Sequence, residues 1–282
     1  MSTSSRDQTE GSTSLILPNL PRPSRKHRCL IPTIVQLAKR LRSRAGGVLL
    51  VSKTICIKYS KLVKKSEAYT MHFVRQNTSI PIPRVLSAFE HCGITYIAMK
   101  RVTGQMIGSG WLNRSAESRA ALLSQLRCHI RELRSLSAPV GMGVANVMDE
   151  ALYVERLPGS SLWFGPFRGV AGFHLHLRQG IKPDVNLDPE IKQLVALHDG
   201  QWPIVFTHGD PSSLNILVKD DQVVGIIDWE TAGWFPAYWE YTTACQVNPQ
   251  NSFWRHEIDR FLDPYPAELT MEGIRQKYFG DF

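Results

Sequence analysis

Leu122, Leu126, Ile130 and Leu133 recur at spacings of four, four and three, the repeat that puts side chains on one face of an α-helix. That stripe predicts a helix over 115–136. Earlier apolar runs are shorter and β-branched. Those at 48–51 and 54–58 read as strands, and those at 84–89 and 94–99 as an antiparallel pair around the turn His91-Cys92-Gly93. Between them Ser66 stands where an N-cap belongs, ahead of a helical segment from Glu67 to about Arg75. Pro81 and Pro83 forbid its continuation. A small sheet with one helix, ending near Arg101, is the result. Downstream, 137–200 is loop-rich, with helical content around 169–179 and 189–198. Short strands follow at 206–207 and 216–218, and a turn at 219–222 leads into a β-branched run over 223–227.

Before the first strand, residues 1–26 are rich in Ser, Thr and Pro without periodicity and predict a disordered leader. Ile34, Leu37, Ala38 and Leu41 then form a short helical stripe inside a basic stretch. Residues 22–44 hold eight Lys/Arg and no acid. Two readings of that stretch compete: a mitochondrial presequence, or a basic helix packed on the first domain. Asp7 and Glu10 upstream and the brevity of the stripe favour the packed helix.

Composition adds limits. The 282 residues are 43% apolar and 21% charged, an ordinary globular balance with enough chain for a core. No apolar run approaches the ~18 residues of a membrane span, and no secretory core follows the first methionine. The five cysteines are scattered, without a Cys-x-x-Cys pair, which predicts a reduced compartment, the cytoplasm. The net charge of +8 is uneven: residues 1–44 carry +7, 45–101 another +7, and 102–282 carry −6. A basic front suits a polyphosphate, and an acidic back suits a metal or a cationic substrate. With no aromatic stacking platform among the basic residues, nucleic acid is not an expected partner. A membrane is not expected either.

The chemistry gathers in Phe206-Thr-His208-Gly-Asp210-Pro-Ser-Ser-Leu-Asn215 and Ile227-Asp228-Trp229. Ionisable groups in loops at strand ends are where rigid scaffolds carry catalytic residues. Asp210 and Asn215 share one loop, and the strand pair after it returns Asp228 to the same place. A carboxylate and an amide oxygen together suit Mg²⁺. Each residue also has an ordinary reading: Asp228 as a turn cap, Asn215 as an Asx-turn residue, Lys58 as a solvated lysine, Glu67 as an acid in a helix's first turn.

His208-Gly-Asp210, Asn215 and Ile227-Asp228-Trp229 together resemble the aminoglycoside phosphotransferase-like kinases, small-molecule relatives of the protein kinases that include choline-kinase types. The run from Ile227 to Tyr241 resembles the fungal branch of that phosphotransferase enzyme family, and Cys56-Ile-Lys58-Tyr, Glu67 and Thr78-Ser-Ile-Pro-Ile-Pro-Arg84-Val precede it in the family's order. The resemblance covers about residues 31–245. It implies an α+β, two-lobed protein-kinase-like fold, with a small β-rich N-lobe at 27–101 and a larger, mostly helical C-lobe at 102–282. It also implies an ATP- and Mg²⁺-dependent O-phosphotransferase acting on a small hydroxylated molecule. By the same resemblance Lys58 holds phosphates, Glu67 fixes Lys58, and Asn215 and Asp228 hold Mg²⁺. Asp210 would be the catalytic acceptor of the hydroxyl proton. The backbone of Met99, Lys100 and Arg101 would meet adenine, with Val51 and Ile227 as apolar walls, and His208 would brace the loop.

Two departures stand out. No Gly-x-Gly-x-x-Gly precedes Lys58, only Gly46-Gly47, and Pro211 follows Asp210 where the family commonly has Leu or Phe. They motivate an alternative, a catalytically weak or inactive kinase-like module that binds nucleotide or a partner.

Overall fold

The computed structural model describes residues 20, 25–38, 44–45, 47–154, 157, 161–247 and 249–280. Most of the predicted leader, Leu41 of the predicted stripe and Gly46 lie outside them. The first lobe is a five-stranded antiparallel sheet in the order β1-β2-β3-β5-β4. Its strands are β1 (Arg44–Ala45), β2 (Val48–Leu50), β3 (Ile55–Ser60), β4 (Val85–His91) and β5 (Ile94–Lys100). The β4–β5 hairpin turns at Cys92 and Gly93, with φ of 49° and 70°. Two positive-φ residues in a two-residue loop match the right-handed twist of the flanking strands.

Alternation along β3 separates the two faces of this sheet. Cys56 joins a core with Met71 and Val74 of α2 (Lys65–Asn77), whereas Ile57 joins Ile31 and Val35 of α1 (Arg25–Ala38). α2 begins earlier than expected, with Lys64 rather than Ser66 as N-cap and no side-chain capping bond. Glu67 thereby falls in the first turn, where the positive end of the helix dipole favours an acid. The α1 stripe also differs from expectation. Ile31 and Val35 are the buried positions, while Ile34 and Leu37 are 37% and 68% exposed. The sheet selects a face about a quarter of a turn from the one the spacing marked, with Ala38 of that stripe packed at its edge.

The second lobe starts with β6 (Gln105–Met106) and α3 (Ala116–Arg134). Ser115 caps α3 by accepting the N–H of Ser118, and Leu122, Leu123, Leu126, Ile130 and Leu133 are buried. β7 (Leu152–Tyr153) pairs with β8 (Trp163–Phe164), and α4 (Val170–Leu177) and α5 (Pro189–Leu197) follow. β9 (Ile204–Thr207), β10 (Ile216–Lys219), β11 (Gln222–Ile226) and β12 (Gly233–Pro236) carry the loops of the site, with β9 paired to β12 and β10 to β11. α6 (Trp239–Cys245), α7 (Ile258–Phe261) and α8 (Pro266–Phe279) complete the lobe.

The lobes share a core. Phe73 of α2 packs on Phe206 and Trp234 with ring centroids 5.4 and 6.3 Å apart, and Ser79 donates its hydroxyl to Glu132 of α3 at 2.7 Å. His174 is buried, with Nδ1 against the His198 carbonyl and Nε2 against the Tyr238 hydroxyl, both at 2.8 Å. Among the described residues no helix is long and apolar enough to cross a membrane.

Candidate active site

β9 delivers His208-Gly209-Asp210 at its end, and β12 runs beside it. Gly209 has φ +86°, and a Cβ there would lie 2.8 Å from the Thr231 carbonyl oxygen, so glycine alone fits. Thr231 Oγ1 donates to the His208 carbonyl at 2.9 Å. Beneath the turn, Glu240 of α6 accepts the N–H groups of His208 and Gly209 at 2.8 and 3.3 Å. Burial pushes the Glu240 carboxyl up to about 7, against Arg134 and those two donors.

His208 is enclosed and links the two functional loops. The Asp210 N–H can only donate, so Nδ1 is its acceptor at 3.2 Å. Nε2 then carries the hydrogen and donates to the Ile227 carbonyl at 3.0 Å. That pattern needs a neutral ring, and burial lowers the His208 pKa accordingly.

Asn215 Nδ2 donates to the Asp210 carbonyl at 3.0 Å and to Asp210 Oδ2 at 2.8 Å. Its own carbonyl accepts the Ile227 N–H at 2.9 Å, which sets Asn215 beside Asp228. With its amide nitrogen fixed on Asp210, Asn215 keeps Oδ1 as its acceptor atom. An amide oxygen and the half-exposed Asp228 carboxylate are donors of the hard kind that Mg²⁺ takes. The Pro211 carbonyl accepts the Trp254 indole N–H at 3.1 Å, and the Asn215 N–H donates to the Ser212 carbonyl at 3.1 Å.

From the other lobe, Lys58 of β3 reaches across. Its Nζ lies 3.0 Å from Glu67 Oε1, 2.6 Å from Asp228 Oδ1 and 2.7 Å from Glu230 Oε2. Burial alone would lower this ammonium's pKa, but the three carboxylates outweigh it and hold the pKa above the ordinary range. Burial lifts the Glu67 carboxyl to about 7 despite Lys58. Asp228 holds φ 66° and ψ 62°, a left-handed conformation that costs little for Asp and clusters at functional sites.

The structure thus brings Lys58, Glu67, Asp210, Asn215 and Asp228 together. Met99 lies within β5, paired with Cys56 and Val85, and the Lys100 and Arg101 N–H groups donate to the Arg84 and Thr54 carbonyls at 2.9 Å. Those two donors are committed to the sheet. Val51 packs on the α1 side, and Ile227 is half-buried with its backbone tied to Asn215 and His208. Glu230, Glu240 and Trp254 are contributors that sequence reasoning missed. Glu230 follows Asp228 by two residues, and only the 3₁₀ turn at Trp229–Thr231 swings it onto Lys58.

A cavity of about 160 Å³ opens on this cluster, lined by Asp210, Asp228 and Glu230 at one end and by Tyr153, Leu157 and Trp239 along its wall. A lysine fixed by a helix glutamate in a small sheet lobe faces an Asp/Asn/Asp loop cluster in a helical lobe. This is the architecture of a kinase-type phosphotransferase. The model of the phosphotransferase enzyme family matches residues 57–274, and the chain belongs to that family. The family is one of phosphotransferases.

Solved structures agree on the fold. A thermostable aminoglycoside phosphotransferase APH(4)-Ia mutant, in ternary complex with ADP and hygromycin B, superposes with a TM-score of 0.59 at 14% identity, over 86% of this chain and 87% of that one. The streptomycin–ATP–APH(2")-IIa ternary complex gives 0.56 at 13%, over 87% and 86%. APH(3'')-Id from Streptomyces rimosus, with ADP and streptomycin, gives 0.52 at 16%, over 89% and 98%. No curated protein sequence matches the chain.

Proposed function

We propose that this protein transfers the γ-phosphoryl group of ATP to a hydroxyl of a small molecule, with Mg²⁺ as cofactor. One observation carries the reading: Lys58 and Glu67 from one lobe meet Asp228 from the other at the mouth of a cavity that Asp210 also lines. Similar folds bind ATP or ADP together with an aminoglycoside, and the donor set here suits the nucleotide and its metal.

Phosphoryl transfer needs positioning and charge stabilisation more than covalent chemistry. Lys58 supplies the ammonium for the phosphates, and Glu67 keeps it in place. Asn215 Oδ1 and the Asp228 carboxylate would hold Mg²⁺, which neutralises phosphate charge when bound. Asp210 orients the acceptor hydroxyl and takes its proton, a role worth ~10²–10⁴-fold. His208 keeps Asp210 and Asp228 in register through its two ring nitrogens.

The cavity gives the acceptor its character. Its volume is below the ~300–1,000 Å³ of pockets that take drug-sized ligands. Its acids are Asp210, Asp228 and Glu230, of which the first two are assigned to the acceptor proton and the metal. Beyond these acids the lining joins Tyr153, Val154, Leu157 and Trp239 to the neutral Thr243 and Gln246 and the cationic Arg275. These features favour a compact alcohol with an apolar body over a polycationic oligosaccharide.

The test is ADP release from Mg·ATP with a panel of neutral aromatic and aliphatic alcohols beside polyamine sugars. Turnover on the former, reduced at least ~100-fold by Asp210→Ala with Mg·ATP binding retained, supports the reading. Binding of Mg·ATP without turnover on any alcohol, and no effect of Asp210→Ala, would favour the non-catalytic module.

A further inference from the structure

We infer that the outer face of α1 is a docking surface for an anionic membrane, on which the enzyme lies with its cleft turned to solvent. Three observations converge. The first is packing. α1 uses Ile31 and Val35 to cover the sheet, against Leu49, Ile57, Phe89 and Tyr96. That leaves Leu30, Ile34 and Leu37 outward at 54%, 37% and 68% exposure. At 100° per residue these three fall within a 60° sector, a continuous apolar stripe rather than scattered surface residues.

The second is charge. The stripe lies inside the 22–44 stretch with eight Lys/Arg and no acid. An apolar helix face within a basic segment is the composition of helices that lie in the plane of a bilayer surface. Apolar side chains enter the acyl boundary while the basic ones meet anionic headgroups. Nucleic acid would use the charge but has no use for the stripe.

The third is orientation. α1 packs on the sheet face opposite α2, and the cleft with Lys58 and Glu67 lies on the α2 side. Residues 1–101 carry net +14 and residues 102–282 net −6. The part of the chain that contains α1 is thus strongly basic and the remainder acidic, and a negative surface favours contact with the former. The sequence expectation of no membrane contact rested on the lack of a spanning run, and a surface-lying helix does not need one.

Co-sedimentation of the full chain with extruded vesicles decides this. The two compositions are phosphatidylcholine alone and phosphatidylcholine with 30% phosphatidylserine, at 50 and 300 mM salt. At low salt the anionic vesicles are expected to raise the bound fraction at least ~10-fold, most of it lost at high salt. Ile34→Glu/Leu37→Glu, at exposed positions, should bring binding to the level of neutral vesicles while keeping cooperative unfolding and the wild-type response to Mg·ATP. Leu37→Gln, with no added charge, should lose about half or more of the binding. Equal binding to both compositions overturns the inference, and so does wild-type binding by the double variant. If anionic vesicles do not bind and the same variants instead abolish a dimer in light scattering, the stripe belongs to a second copy and the inference fails. None of these outcomes depends on the proposed reaction.

Discussion

Lys58 Nζ lies 2.6 Å from Asp228 Oδ1, although 170 residues separate them and each belongs to a different lobe. Glu67 and Glu230 complete the ring around the ammonium. Three carboxylates on one lysine leave excess negative charge at the place proposed for the polyphosphate. The ring therefore has to open as nucleotide arrives. Glu67 is the partner that stays, because it is buried at the start of α2, whereas the side chains of Asp228 and Glu230 are 41% and 30% exposed.

Glu230→Gln removes one of these competitors without touching Asp210, Asn215 or Asp228. Partly exposed ion pairs are worth up to about 1 kcal/mol, so metal-free ATP should bind roughly 5-fold more tightly. Isothermal titration in the presence of a chelator measures this directly. Unchanged or weaker metal-free binding would mean that Glu230 does not restrain Lys58.

Glu240 tests the support beneath the catalytic turn. Glu240→Ala leaves the N–H groups of His208 and Gly209 buried without their acceptor, at about 1–3 kcal/mol each. Glu240→Gln keeps an oxygen for both and no longer buries a carboxyl lifted to about 7. Urea unfolding should show the alanine variant destabilised by about 2–4 kcal/mol and the glutamine variant by less than about 1 kcal/mol. Similar losses in the two would assign Glu240 to packing alone.

Trp254→Phe keeps the ring and deletes the N–H that holds the Pro211 carbonyl. A net loss of about 1 kcal/mol in stability is expected. In steady-state kinetics kcat should fall more than KM changes, because the loop it holds carries Asp210. A variant with wild-type kcat would show that the bond does not position the loop.

Acid stability should depend on the buried histidines. Burial pulls His174 down to about 4, and Arg178 beside it acts in the same direction. Its folded pKa lies below the unfolded value of about 6.5, so the folded state binds fewer protons between the two. The contribution of His174 is then complete above pH 6.5 and is lost as pH falls toward 4. At pH 5 the loss is about 2 kcal/mol. Glu67 and Glu240, both lifted to about 7, oppose it, since their cost declines as pH falls through 7. The clean readout is the difference between proteins: His174→Asn should lose about 2 kcal/mol less than wild type between pH 7 and 5. Parallel stability curves for the two would exclude His174 as the group.

Much of this fold was legible because local chemistry and tertiary packing agreed. Ser115 and the leucine stripe defined α3, Cys92-Gly93 defined a hairpin turn, and Pro81 and Pro83 ended α2 as required. The order of Lys58, Glu67, Asp210, Asn215 and Asp228 was readable as a motif. Two kinds of feature were not. Where two apolar faces compete on one helix, as on α1, periodicity gives no preference, and the sheet chose Ile31 and Val35. Contacts made by irregular backbone were hidden as well. Glu230 reaches Lys58 through a 3₁₀ turn, Glu240 reaches the catalytic turn from a separate helix, and Trp254 meets Pro211 across 43 residues. The committed N–H groups of Lys100 and Arg101 depend on strand register, which residue identity alone does not set.

The central claim is that Lys58 and Asp228 together receive Mg·ATP, and thermal unfolding tests it most directly. Wild type, Lys58→Ala and Asp228→Asn would each be melted with and without Mg·ATP. At ~100 times its Kd the nucleotide should stabilise wild type by about 2.7 kcal/mol, a rise of about 5–10 °C, and leave both variants within about 1 °C of their ligand-free midpoints. No shift in wild type at millimolar Mg·ATP, or equal shifts in all three proteins, would contradict the assignment of this cluster as the nucleotide site.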